Sequence, residues 1–286
     1  MISCLCVTRA GRLAMLAEAV ADFAAQDFAD RELAILHEGN DAAHAAILGI
    51  AARHPGSAIR VMRVSPGPGL GELRNIAIAA AKGDWICQWD DDDRYHPSRL
   101  TIQWNAAQTQ GAAVCYLVDQ LHWFRPDGLL FWDDWDREAY PMNLIQGSIL
   151  ARRDILPPYP NLPRGEDTRQ THALLRAAAT AGFRIARLRG AGWCYTYTFH
   201  GGNVWESEHH RAISAAKHLP PARLLPRLAE LRLRLAEYRP GLPALRMRVG
   251  VDWVPVTQCI RMQTGDSSPS LARCRGASVT LSPVSH

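Results

Sequence analysis

Nine consecutive residues, Trp85-Ile86-Cys87-Gln88-Trp89-Asp90-Asp91-Asp92-Asp93, constrain this chain more than any others. The first five are largely apolar and read as a buried strand. Charges are tolerated only where such a strand leaves the core, so the four carboxylates belong at its carboxyl end. In open α/β sheets that end is where ligands bind. Acids crowded together repel one another unless a divalent cation with hard oxygen ligands neutralises them, and the stretch reads as a metal site. Its plain rival is a solvated acidic turn.

The rest of the first hundred residues supplies a frame for that strand. Ile2 to Val7 is an apolar run ending at Thr8-Arg9, and residues 12–26 place Leu13, Leu16, Val20 and Phe23 at helical spacing. Leu33 to Leu36 and Ala58 to Val64 read as further strands, with helices over Ala42–Arg53 and Glu72–Lys82. Strands alternating with helices argue for parallel βαβ units, hence an α/β fold with a mostly parallel, Rossmann-like central sheet. Gly67-Pro68-Gly69-Leu70-Gly71 imitates a dinucleotide fingerprint, but its third glycine would fall on Glu72. Gly83 is read as a left-handed cap of the helix before it, and Pro97 as a first-turn residue of a helix reaching Gln110.

Beyond residue 112 the pattern turns to strands. A hairpin is expected with Pro126-Asp127-Gly128 at its turn. The cluster Trp132, Asp133, Asp134, Trp135, Asp136 could stack on a sugar ring or close over a core. Arg164-Gly165-Glu166-Asp167 opens a helix ending near Gly182, its acids favoured there by the helix dipole whatever else they do. Leu224, Leu228, Leu231 and Leu235 form an apolar stripe among arginines, either docked on the parent domain or in peripheral contact with a membrane through residues 219–239. From 256 onward, Ser, Thr and Gly without periodicity predict a poorly ordered tail.

Charge and cysteine usage bound the setting. The net charge is +4, but residues 1–150 carry −7 and residues 151–286 carry +11. That asymmetry suits a carboxylate site facing a negatively charged substrate or partner. Nucleic acid is not the expected partner, since the cleft is acidic. Seven cysteines include no CxxC pair, and Cys4, Cys6, Cys87, Cys115 and Cys194 lie in strand-like runs, as buried thiols of a reducing cytoplasm do. The chain enters a strand at Ile2 with no basic stretch before it, unlike a secretory leader, and no 18-residue apolar segment occurs.

Taken in order, Thr8 at a strand end, Glu38-Gly39, Gly69-Leu70 with Arg74-Asn75, Gly83-Asp84 before the acidic strand, and Glu166-Asp167 opening a helix resemble the family 2 glycosyltransferases of GT-A fold, in the nucleotide-diphospho-sugar transferase superfamily. The resemblance covers about residues 2–210. It implies a glycosyltransferase domain over 1–212, with a nucleotide-sugar half (1–100) and an acceptor half (101–212), followed by a helical C-terminal extension (213–255). The family's Asp-X-Asp matches Asp90-Asp91-Asp92: Asp92 is implied as the direct ligand of Mn²⁺ or Mg²⁺, and Asp90 as the holder of the ribose or a metal-bound water. His200 resembles a position that supplies a metal or diphosphate contact. Glu166-Asp167 matches the Glu-Asp motif, with Asp167 as general base. Thr8, Glu38, Arg74 and Asp91 fall on the nucleotide side. The family's Asp-Asp-Gly-Ser reads His37-Glu38-Gly39-Asn40 here, and its first strand ends in Thr8-Arg9, which directs Arg9 to the diphosphate.

The implied activity is metal-dependent, inverting transfer of a sugar from a nucleotide-diphosphate donor, a UDP-sugar as first choice, to an acceptor hydroxyl. Spacing of two aims both acids the same way where a strand emerges, and a carboxylate within reach accepts the hydroxyl proton. Two rivals differ in class. A sugar-1-phosphate nucleotidyltransferase would need an early Gly-rich loop with a following basic residue, which is lacking; a catalytically silent scaffold would keep the fold without metal-linked nucleotide binding.

Overall fold

The structure is a computed structural model, and it describes residues 1–257. Two sheets carry the chain. The first is built by β1 (Ile2–Thr8), β2 (Arg31–His37), β3 (Ile59–Arg63), β4 (Trp85–Gln88), β6 (Ala112–Leu117), β9 (Leu150–Arg152) and β10 (Arg184–Leu188), in the order β10-β6-β9-β4-β1-β2-β3. All its pairings are parallel except those of β9, which runs antiparallel between β4 and β6. Helices α1 (Leu13–Ala24), α2 (Asp41–Ala51), α3 (Leu70–Ala80), α4 (Arg99–Thr109) and α5 (Glu166–Ala181) connect and flank these strands. Burial follows the expected logic: β1 and β2 are closed on both faces, so they read as unbroken apolar runs.

The second sheet has six strands. It contains β5 (Arg94–Tyr95), β7 (Asp119–Phe124), β8 (Leu129–Asp134), β11 (Tyr195–Phe199), β12 (Arg246–Val249) and β13 (Asp252–Pro255), ordered β13-β12-β8-β7-β11-β5. The hairpin turns where expected, with Phe124 opposite Leu129 and Gly128 left-handed at φ 63°. After α6 (Ser207–Lys217), α7 (Pro221–Leu224) and α8 (Leu228–Ala236), the extension stops being helical. Its hairpin of β12 and β13 adds to β8 and completes the sheet.

The apolar stripe of the extension faces inward: Leu224, Leu231 and Leu235 are each 1% exposed. Arg223 pairs with Asp134, while Arg227 and Arg234 lie over the rings of Trp132 and Trp193. The face a membrane would use is thus spent on the domain itself. No helix among the described residues is long and apolar enough to cross a membrane. The disorder expected from residue 256 begins too early, because Val256 is buried and its N–H donates to Leu245 O at 3.0 Å. Residues 258–286 lie outside the described residues.

Gly83 serves a different purpose from the one its position suggests. A Cβ there would stand 2.6 Å from Met1 O and 2.8 Å from Ser3 Oγ. Glycine is needed because the turn into β4 passes tight against β1. Pro97 lies just outside α4, whose N-cap is Ser98.

Candidate active site

Where β4 ends, the chain crosses a cavity of about 380 Å³ lined by the acidic run, the start of α5, Arg12, Arg74 and a wall from the second sheet. Trp89 anchors the crossing: it is fully buried, and its Nε1–H donates to Ala19 O at 3.0 Å. In the turn that follows, the four acids alternate in exposure. Asp90 and Asp92 keep 28% and 13% of their side-chain surface, whereas Asp91 and Asp93 are 1% and 2% exposed.

The buried pair is tied to the protein. Asp91 accepts from Thr8 Oγ1 at 2.6 Å and Arg12 Nη1 at 2.8 Å. Asp93 accepts from Tyr195 Oη at 2.6 Å and the Thr198 N–H at 2.8 Å, which draws β11 to the site. Burial, with Asp92 and Asp90 nearby, pushes the Asp93 carboxyl well above its usual range; burial and Asp92 push Asp91 up to about 6. Asp91, expected on the nucleotide, thus has one oxygen on Thr8 and the other on Arg12. Thr8 reaches the site only through it.

Asp92 behaves differently. Burial works against its charge, but a hydrogen bond from His200 and the positive charge of Arg12 outweigh it, leaving the carboxyl below its ordinary range. Arg12 Nη1 lies 2.8 Å and His200 Nε2 3.1 Å from Asp92 Oδ2. Gly202 N–H donates to His200 Nδ1 at 3.3 Å and so orients the ring. His200 and Asp92 therefore meet, as the resemblance implies. Arg9 does not join them: it is exposed and outside the cavity lining, and Arg12, one helical turn on, is the guanidinium that reaches the acids. Its spacing from Thr8 is unremarkable in sequence, so nothing but the turn at Ala10–Arg12 reveals it.

Among the described residues, no three His, Cys, Asp or Glu side chains converge as a closed metal cage. Mg²⁺ and its like are usually held by one or two carboxylates together with substrate phosphates and water. An ionised, cavity-facing Asp92 with an imidazole 3.1 Å away and Asp90 two residues back fits that open kind of site.

Arg74 links the two acidic motifs. Its Nη1 donates to Glu166 Oε1 at 2.6 Å and its Nη2 to Asp90 Oδ1 at 3.3 Å, with the guanidinium 5.3 Å from the Tyr159 ring centre. Asn75, the next residue, clamps Tyr159 through two 2.8 Å hydrogen bonds to its backbone. Gly71 lets that segment lie close, since a Cβ there would come 2.3 Å from Pro160 O. The Arg-Asn pair expected to serve the nucleotide thus sets the path of residues 159–167. Gly165 then turns left-handed at φ 72° into α5.

Glu166 is buried against Arg74, and burial raises its carboxyl despite that partner. Asp167 is half-buried at the cavity wall; Oδ1 accepts the Thr168 N–H at 2.6 Å. Glu38, outside the cavity lining, accepts from the Gly67 N–H at 2.8 Å and holds the proline-glycine loop. His37 is buried and paired with His44 at 2.9 Å.

The aromatic-acidic cluster is mostly structural. Trp132 Nε1 donates to Asp119 at 2.7 Å, Asp133 contacts His122 at 3.0 Å, and Asp136 pairs with Arg187. Trp135 is the member that lines the cavity.

Residues 4–129 match the family described as Glycosyl transferase family 2. No curated protein matches this sequence. Among solved structures, S. aureus TarS superposes with a TM-score of 0.55 at 17% identity, over 75% of this chain and 42% of that one. A TarS 1–349 complex with UDP-GlcNAc gives 0.56 at 16% identity, over 83% and 67%. The mannosyltransferase PcManGT from Pyrobaculum calidifontis, in complex with GDP-Man and Mn²⁺, gives 0.54 at 15% identity, over 79% and 64%. This chain therefore spans less than half the length of the full TarS chain, and such identities establish the GT-A fold.

Proposed function

We propose that this chain, family 2 glycosyltransferase sequence across residues 4–129 on a GT-A fold, moves a sugar from a nucleotide-diphosphate donor to an acceptor hydroxyl with inversion. One observation carries the reading. Arg74 joins Asp90 to Glu166, so the strand-end acids and the helix-start acids, 76 positions apart in sequence, form one wall of one cavity.

The chain's own residues divide the work. Asp92 and His200 would hold Mn²⁺ or Mg²⁺, with Asp90 beside them toward the ribose. When bound, such an ion supplies Lewis-acid stabilisation of the departing diphosphate. Arg12 adds a fixed positive charge on the same side. Asp167 takes the proton of the attacking hydroxyl at its free oxygen as the bond forms. Glu166 is a positioning residue, held by Arg74 at the start of the helix that carries the base. Attack from the Asp167 side, opposite the leaving group, inverts the anomeric centre. Neighbours in complex with UDP-GlcNAc and GDP-Man support a nucleotide-sugar donor, and the PcManGT complex supports a divalent ion. A UDP-sugar is the first donor to test.

The test is a thermal-shift titration with nucleoside diphosphates, with and without Mn²⁺. Wild-type protein is expected to gain stability only when metal and one nucleotide are present together. Asp92→Asn should lose that gain; Asp167→Asn should keep it and lose transfer. Full turnover by Asp167→Asn would remove the base from this scheme.

A further inference from the structure

The cavity's second wall holds four side chains that the donor chemistry does not use. Gln120 and His122 lie two apart on β7 and so share a face; His210 comes from α6 and Trp135 follows β8. Gln120, His122 and His210 are 6%, 1% and 3% exposed. Gln120 Oε1, His122 Nε2, His210 Nε2 and Trp135 Nε1 are each closed to bulk solvent and lack a hydrogen-bond partner among the described residues. A buried polar atom without a partner is costly, and four in one cavity wall call for an explanation.

Their chemistry is specific. Asp133 Oδ2 lies 3.0 Å from His122 Nδ1 and accepts from Ser214 Oγ at 2.9 Å, so Nδ1 is the nitrogen this pair holds and Nε2 the one left without a partner. Burial, with His122 and His209 nearby, holds His210 neutral at ordinary pH. Two acceptors, Gln120 Oε1 and His210 Nε2, thus stand with the Trp135 N–H donor and the unpartnered His122 Nε2, and no Lys, Arg, Asp or Glu belongs to this group. At the mouth, Trp205 is 47% exposed; its ring stacks on His209 at 4.8 Å and 27°, and the Arg164 guanidinium lies 5.3 Å from its centre. Acceptors suit a ligand rich in O–H donors, and an exposed indole suits the apolar face of a sugar ring.

We infer that this wall is the acceptor subsite, and that the acceptor it takes is an uncharged carbohydrate, not a sugar phosphate or a phosphate-headed lipid. The inference rests on the transferase reading for the word acceptor, but the pocket's preference can be measured alone. The experiment titrates the full chain with a panel of neutral methyl glycosides and with the matching sugar phosphates by saturation-transfer NMR, with and without UDP and Mn²⁺. Neutral glycosides should bind and sugar phosphates should not. Gln120→Leu and Trp205→Ala should each weaken glycoside binding about tenfold, as loss of one buried hydrogen bond or one stacking face does. His210→Leu should do the same, and His210→Gln, which keeps an acceptor, should restore part of it. The melting temperature of Gln120→Leu should equal or exceed that of wild type, since an unpartnered buried polar atom has been removed.

Tighter binding of sugar phosphates, or variants that bind like wild type, would overturn the assignment. Nucleotide binding without glycoside binding would sink this inference alone. Glycoside binding without nucleotide binding would uphold the pocket and sink the transferase reading, and loss of both would end both.

Discussion

Arg74→Met is the perturbation that tests the architecture most directly. The substitution keeps the unbranched stem of the side chain and removes the one cation between Glu166 and Asp90. Removing one partner of a buried ion pair costs about 3–5 kcal/mol, because the other charge is left without compensation. Glu166 is 6% exposed and bears that cost in full, whereas Asp90 keeps 28% of its side-chain surface and is partly screened. The lower end, about 3 kcal/mol, is therefore expected, or about 6–12 °C in melting temperature for a chain of this size. The assay is urea unfolding of four proteins: wild type, Arg74→Met, Glu166→Gln and the double variant. Glu166→Gln removes a charged hydrogen bond worth about 1.5–3 kcal/mol. Since both substitutions abolish the same 2.6 Å contact, the double variant should fall short of the sum by about 1.5 kcal/mol or more. On the proposal that Asp167 is the base, turnover of Arg74→Met should drop about a hundredfold, the consequence of its helix being displaced by about an ångström. Additivity within about 0.5 kcal/mol would refute the bridge.

Gly71→Ala should cost about 1–3 kcal/mol and lower kcat, because its Cβ would meet Pro160 O at 2.3 Å and displace the segment leading to Asp167; unchanged kinetics would count against that path. Leu231→Ala should destabilise by about 2–5 kcal/mol, whereas Leu233→Ala, 69% exposed, should stay within about 0.5 kcal/mol; equal effects, with vesicle binding lost in Leu231→Ala, would return the stripe to a membrane. His96 and His210 are buried with pKa values lowered to about 4, chiefly by burial, so below about pH 6.5 the unfolded chain binds protons at these rings that the folded chain refuses, and each takes stability from the fold as the pH falls. Burial raises Asp22 to about 7 and Asp91 to about 6, which acts in the opposite sense over the same window. The loss of stability from about pH 7 to 4.5 should therefore be smaller in His96→Gln and His210→Gln than in wild type, and identical pH profiles would remove the argument.

Much of the nucleotide half was legible because its signals are local. An apolar run closed on both faces means a parallel strand, and β1, β2 and β4 each announce themselves that way. The acids were legible as a cluster placed where an apolar strand ends; that Asp90 and Asp92 keep more surface than Asp91 and Asp93 is set by the turn after β4 and by the partners of the buried pair. What stayed hidden depends on long-range pairing. Nothing near Arg74 in sequence says that its guanidinium ends on Glu166, 92 residues away. Nothing near Arg9 says that Arg12 is the residue the helix entrance turns toward Asp92. The C-terminal hairpin was missed because Arg246–Val249 and Asp252–Pro255 are short strands, stabilised by the edge of β8 more than by their own pattern.

The charge asymmetry shows how composition can mislead when partners are distant. An acidic front half and a basic back half suggested a field aimed at something outside the molecule. In the fold, many of those charges meet one another: Asp127 with Arg211, Asp134 with Arg223, Asp136 with Arg187 and Arg189, and Glu138 with Lys217. Each pair joins the β7–β8 hairpin or the loop after it to a later element, so the halves are complementary within one chain. Exposed pairs of this kind contribute about 0–1 kcal/mol apiece, and their use is in register more than in strength. The acids of the cavity are different in kind. Asp90 and Asp92 share Arg74 and Arg12 with Glu166 and Asp91, and these two guanidinium groups are fewer than the four carboxylates they reach. A surplus of negative charge held where the strand ends, beside a wall of histidine, glutamine and tryptophan without Lys, Arg, Asp or Glu, is the contrast on which the proposed division of this cavity rests, a side for a charged donor and a side for an uncharged acceptor.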